Sequence, residues 1–171
     1  MSTVVGIGDC RASADAGDVL VTYALGSCVG VVVHDAVARV GGLLHILLPD
    51  SSIDPKRAKE NPFVFADTGI PLLLKQCYAL GARKERLQTR IAGGSQMSVT
   101  MDTLNVGHKN IQATRDILGR NGLSLSGEAV GGSCARTLRL KVGTGELSLQ
   151  ETAAAQKKVP PARHTISHGR R

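Results

Sequence analysis

Cys28 and His45 are the side chains of this sequence whose types and settings point to nucleophilic chemistry. The thiolate, not the thiol, is the nucleophile, and a free cysteine with a pKa of about 8.5 is mostly thiol at neutral pH. An adjacent imidazole that takes the proton and later returns it to a leaving group supplies the two-part logic of covalent acyl transfer. Gly26 and Ser27 stand immediately before the cysteine. A glycine there lets the backbone turn and aim amide N–H groups at a developing oxyanion, which makes the pair candidate oxyanion and substrate-binding residues. The same cysteine and histidine are also readable as a small core thiol and a hydrogen-bonded strand imidazole.

The elements that must position them are two aliphatic runs, residues 25–35 and 40–49, on either side of Ala36, Val37, Ala38 and Arg39. This pattern predicts an antiparallel hairpin. A turn centred between Ala36 and Val37 pairs Val33 with Val40, Val31 with Gly42 and Cys28 with His45. Directly opposed residues share a face, with Cβ atoms about 4.5–5.5 Å apart. A register slip of one residue would send His45 to the other face. The Gly26-x-Cys28-x-Gly30 spacing matches a hydrolase nucleophile elbow, but that turn leads into a helix, and Val29, Val31, Val32 and Val33 read as a strand.

Around the hairpin, residues 4–8 read as a short strand whose Gly6-x-Gly8 lacks the rest of a dinucleotide fingerprint. Residues 19–23 form a strand that delivers Thr22 close to the cysteine turn, where its hydroxyl or carbonyl can hold an imidazole N–H and fix the tautomer. Residues 49–62 are a polar, proline-bounded connection, a lid or a plain solvated loop. A helix capped by Asp67 or Thr68 is expected to run to about Leu80, with Ile70, Leu73, Leu74 and Cys77 on its buried stripe. A second helix starts at Asn105 and stops at Asn121 and Gly122, with Ile111, Ile117 and Leu118 inward. Strands are expected at 86–91, 123–126, 138–142 and 146–149, the last two joined by Gly143, Thr144 and Gly145. The class is α+β, one domain over residues 1–150, followed by a tail over 151–171 without periodicity, expected to be disordered.

Composition narrows the function. No stretch of the 171 residues approaches the apolar length of a membrane span, so a cytoplasmic location is expected. Cys10, Cys28, Cys77 and Cys134 have no metal-site or secreted-disulfide spacing. The net charge of +7 is concentrated in the tail: Lys157, Lys158, Arg163, Arg170 and Arg171 against Glu151 put +4 there, leaving +3 for the other 150 residues. With 2% aromatic residues there is little to stack on bases, so no nucleic-acid partner is expected. His164 and His168 have helical metal spacing but follow Pro160 and Pro161 without a carboxylate, so no metal or other cofactor is expected.

Several short motifs in one order resemble the chemoreceptor glutamine deamidases, the CheD family of bacterial chemotaxis. They are residues 22–30 (TYALGSCVG), 41–49 (GGLLHILLP), 65–68 (FADT), 91–97 (IAGGSQM), 105–110 (NVGHKN) and 131–136 (GGSCAR). The resemblance covers roughly residues 4 to 150. It implies that Cys28 is the nucleophile, His45 the general base and Thr22 the group that orients the imidazole. It implies a three-layer αββ sandwich of mixed and antiparallel sheets, related to the cytotoxic necrotizing factor-like cysteine hydrolases. It further implies conversion of receptor glutamine side chains to glutamate, with methyl-accepting chemotaxis receptors as substrate. Two rivals to that activity are a non-catalytic adaptor that binds receptors or a CheC-type response-regulator phosphatase, and a transglutaminase in which an amine opens the thioester. One departure from the family pattern, Ser133-Cys134 where an Asn usually precedes Ala-Arg, reads as lying away from the Cys-His pair.

Overall fold

The computed structural model describes residues 1–97 and 104–153. Its strands in chain order are β1 (Ser2–Val4), β2 (Asp9–Ser13), β3 (Val19–Leu25), β4 (Val29–Asp35), β5 (Val40–Ile46), β6 (Leu87–Gly93), β7 (Leu125–Val130), β8 (Cys134–Lys141) and β9 (Leu147–Ala153). The helices are α1 (Pro55–Glu60), α2 (Ala66–Ala79) and α3 (Val106–Arg120). The strands form two sheets, ordered β1-β3-β8-β9 and β2-β5-β4-β6-β7. Most pairs are antiparallel, while β1 with β3 and β6 with β7 are parallel. The class is therefore mixed α and β with few helices, as expected.

Two apolar clusters explain the layering. On one face of the five-stranded sheet, Val29, Val31, Val33, Leu44 and Ile46 pack on Ile70, Leu73 and Leu74 of α2 and on Ile111, Ile117 and Leu118 of α3. On its other face, Val32, Leu43 and Ala92 meet Leu20, Leu25, Leu138 and Leu140 of the four-stranded sheet. Every residue of β4 and β5 is buried, because both faces of these central strands are covered. That is why they read as continuous aliphatic runs, whereas β8, covered on one face, alternates buried and more exposed positions. Cys77 is fully buried on the α2 stripe, as its spacing predicts.

The hairpin forms in a register different from the expected one. Asp35 faces Val40, Val33 faces Gly42, Val31 faces Leu44 and Gly30 faces His45. The turn holds four residues because the fully buried Asp35 carboxylate accepts hydrogen bonds from Val37 N at 2.9 Å and Ala38 N at 3.0 Å, while Arg39 takes a left-handed φ of 53°. The same carboxylate accepts from Arg83 N at 2.9 Å and pairs with the Arg86 guanidinium at 2.8 Å. Burial pushes this carboxyl upward, yet the guanidinium and three amides outweigh it and hold the group well below the usual carboxylate range. Because the slip is by two residues and not one, the faces are kept, and His45 still points toward the second sheet.

Other boundaries shift by local chemistry. The 49–62 connection contains the short helix α1, capped by the Asp54 carboxylate accepting from Arg57 N at 3.0 Å. Helix α2 begins at Ala66; Asp67 does not cap it but accepts from Ser51 N at 2.9 Å and Ser51 Oγ at 2.6 Å. Strand β2 has no counterpart in the sequence reading, and β9 continues three residues past the boundary expected at 150. The rest of the expected tail, with His164 and His168, lies outside the described residues.

Candidate active site

Strand β3 of the four-stranded sheet brings Thr22 against His45 across the inter-sheet layer. With Leu20 and Leu25 it faces the inter-sheet layer, and an irregularity between Thr22 and Leu25, where Ala24 takes a φ of 54°, shifts the register before the strand ends at Leu25 and the turn of residues 26–28 begins. Thr22 Oγ1 lies 2.8 Å from His45 Nδ1 and 2.7 Å from the Val5 carbonyl oxygen. A carbonyl only accepts, so the hydroxyl proton goes to Val5 and the hydroxyl oxygen must accept from the ring. The imidazole is thereby held as the Nδ1–H tautomer, with Nε2 carrying the lone pair. Nε2 is buried with no hydrogen-bond partner among the described residues. An imidazole fixed in this way is set up as a base.

Cys28 ends the turn just before β4 and belongs to the same inter-sheet cluster, 6% exposed against 1% for His45. In the observed register it is the diagonal, not the opposed, neighbour of His45, since Gly30 takes the opposed place. Diagonal pairs lie within reach of longer side chains, and Gly30 interposes no side chain on that face. Burial pushes the Cys28 thiol above its ordinary value, partly offset by its own backbone amide, and burial lowers His45 to about 4. Both changes disfavour charge, so the resting pair is neutral thiol and neutral imidazole at pH 7.

The turn itself is pinned through its carbonyls. Gly26 O accepts from Ser95 N at 2.7 Å, Ser27 O from Asn110 Nδ2 at 2.9 Å, and Cys28 O from Gly94 N at 2.7 Å. The amides of Gly26 and Ser27 donate to no acceptor among the described residues. The held carbonyls of Gly26 and Ser27 share planar trans units with the amides of Ser27 and Cys28, whose N–H groups therefore point the opposite way. Behind the turn, buried Arg136 donates from Nη1 to Ser95 Oγ at 2.9 Å and to Gly131 O at 2.7 Å, tying the loops around residues 94 and 131 together.

A cleft of ≈ 590 Å³ is walled by Gly94 and Gln96, by Asn105, His108 and Ile111 of the α3 start, and by Gly131, Gly132 and Ser133; Gly94, whose N–H holds Cys28 O, links it to the turn. Ser133 belongs to this cleft wall, which includes neither Cys28 nor His45. Asn110, Ser95 and Arg136 were not singled out by sequence reasoning as site residues. Each stands inside a recurring short motif, which was the available signal, but only the packing shows what each holds.

Gly93 has a φ of 108°, and a Cβ there would strike the Cys28 carbonyl oxygen. Gly93→Ala is expected to lower stability by about 3 kcal/mol or more, combining backbone strain with a clash against main chain. Urea unfolding followed by circular dichroism checks it, and a midpoint within error of the unaltered chain would contradict this account of the loop.

Comparison with known proteins gives concordant matches. The family described as "CheD chemotactic sensory transduction" matches residues 47–151. The chain is 48% identical over 157 residues to the probable chemoreceptor glutamine deamidase CheD of Solibacter usitatus, covering 92% of this chain and 93% of that protein. It is 44% identical over 156 residues to the protein named probable chemoreceptor glutamine deamidase CheD 1 of Syntrophus aciditrophicus, covering 91% and 98%. It is 40% identical over 154 residues to a protein of Pyrococcus abyssi with the same type of name, covering 89% and 93%.

Proposed function

On the premise that this chain belongs to the CheD family, we propose that it deamidates glutamine side chains of chemoreceptors through Cys28, His45 and Thr22. The observation that carries the mechanism is the Thr22–His45 hydrogen bond of 2.8 Å with the Thr22 proton committed to Val5. It leaves Nε2 as the free base in the layer that also holds Cys28.

His45 Nε2 takes the thiol proton as the Cys28 sulfur attacks the carboxamide carbon. The S–C bond forms and the carbonyl electron pair moves onto oxygen, where backbone amides of the 26–28 turn, with Gly26 and Ser27 contributing, stabilise it. The oxyanion collapses, the C–N bond breaks, and the imidazolium returns its proton to the leaving nitrogen, which departs as ammonia. Water, deprotonated by the same ring, then opens the thioester to release glutamate and restore the thiol. The three-layer order of helices, large sheet and small sheet also supports a relation to the cytotoxic necrotizing factor-like cysteine hydrolases.

Mass spectrometry of a receptor cytoplasmic fragment incubated with the full chain tests the reading. A gain of about 1 Da per site with stoichiometric ammonia is expected from amide-to-acid conversion. A binding-only adaptor for receptors or a CheC-type phosphatase would give neither. Incorporation of a labelled amine in place of water would mark a transglutaminase instead.

Thr22→Val preserves shape but removes the acceptor for Nδ1–H. Losing one buried partner is expected to cost about 1–3 kcal/mol of stability. It should also lower kcat by about 10–100-fold, because the ring can then rotate or change tautomer. Ring 15N shifts report the change directly: Nδ1–H should dominate in the unaltered chain and be mixed in the variant.

A further inference from the structure

Helix α3 sends one polar side chain between the two chain segments that carry the sulfur and the imidazole. Asn110 is fully buried, and its Nδ2 donates both to Ser27 O at 2.9 Å and to Leu47 O at 3.0 Å. Both partners are carbonyls, which only accept, so the amide nitrogen must face them. That leaves Oδ1 buried without a hydrogen-bond partner among the described residues. A half-satisfied buried amide is costly, and an aliphatic residue would extend the apolar stripe of Ile111, Ile117 and Leu118. What the amide achieves is control of one peptide plane.

The carbonyl of residue 27 and the N–H of residue 28 belong to the same planar trans unit and point in opposite directions. Holding Ser27 O on α3 therefore turns the Cys28 amide to the far side, beside the sulfur on which the tetrahedral intermediate forms. We infer that Asn110 is a positioning residue that presets the Cys28 amide as an oxyanion donor by anchoring the Ser27 carbonyl, while its second bond ties that plane to the chain just beyond His45. Ser95 N does the same for the preceding plane through Gly26 O, at 2.7 Å. The inference rests on the deamidase reading and assigns it a residue that never touches substrate.

Two reactions of the full-length chain separate positioning from simple structural support. Deamidation of a glutamine-bearing receptor cytoplasmic fragment passes through an oxyanion; alkylation of Cys28 by iodoacetamide is a displacement at carbon that forms none. In Asn110→Ala, kcat for deamidation is expected to fall about 10–100-fold, with KM and the alkylation rate each within about twofold of the unaltered chain. An unchanged kcat, or alkylation falling in parallel with it, overturns the inference. If Asn110→Ala does not fold, Asn110→Ser retains one donor and is read in the same assays, with an expected loss of about tenfold and the same overturning outcomes. Absence of ammonia release by the unaltered chain would instead sink the deamidase reading, and this inference with it, a result distinct from either failure above.

Discussion

Cys28→Ala is expected to abolish deamidation, with a loss on the order of 10⁴-fold or more, since a covalent route cannot proceed without its nucleophile. The readout is twofold: no ammonia, and no mass gain of about 1 Da on the receptor fragment. The substitution removes a single sulfur from a 6% exposed position in the inter-sheet cluster. It also abolishes no hydrogen bond of the turn, because Gly26, Ser27 and Cys28 are held by their main-chain carbonyls. The variant should therefore unfold within about 1–2 kcal/mol of the unaltered chain, so that lost activity is not lost structure. Retention of measurable turnover by a folded Cys28→Ala protein would end the proposal of thiol catalysis, even with the family assignment intact.

His45 yields the second large effect and a pH signature. His45→Gln is expected to lower kcat by about 10²–10⁴-fold, the usual worth of a positioned proton-transfer group. In the unaltered chain, burial lowers His45 to about 4, so the ring stays unprotonated and competent from neutral pH down to that region. The acid limb of the activity profile should therefore lie near pH 4, not near the ordinary histidine value of about 6.5. Stability follows the same linkage. Between about pH 6.5 and 4 the unfolded chain binds a proton that the folded chain refuses, so the native state loses stability as pH falls through this window. The contribution is complete above about pH 6.5 and amounts to about 3 kcal/mol at its full extent. Urea midpoints measured from pH 7 to 4 should show this decline, and His45→Gln should flatten it. A midpoint in the unaltered chain that is level across the window would show that the ring is not shielded as its 1% exposure indicates.

The neutral resting pair also has a consequence for the reactivity of the thiol. A buried, protonated cysteine is a slow target for oxidants and alkylating agents, since reactivity tracks thiolate character and access. In the proposed mechanism the proton leaves when a carboxamide is present to receive the sulfur. In the same proposal the pinned turn complements this, because an oxyanion site built from prealigned amides would cost no reorganisation at the moment of reaction.

By itself the sequence determined the class, the two main helices, the central hairpin and the identity of the candidate nucleophile and base. These are legible because they rest on local signals: aliphatic runs for β4 and β5, the Ile70 to Cys77 stripe of α2, Asn105 and Asn121 at the ends of α3, and short motifs around Cys28 and His45. The tertiary structure decided the register: the Asp35 carboxylate that holds Val37 N and Ala38 N across the four-residue turn is itself buried and held by Arg83 and Arg86, residues some fifty positions away in sequence. It alone decided the tautomer of His45, because that required Val5 O and Thr22 Oγ1 to converge from another sheet. It alone placed Asn110 on Ser27 O and Ser133 in the cleft wall. Propensity and periodicity act over one or two turns of chain, whereas hydrogen-bond satisfaction in a closed core is settled only when distant segments meet.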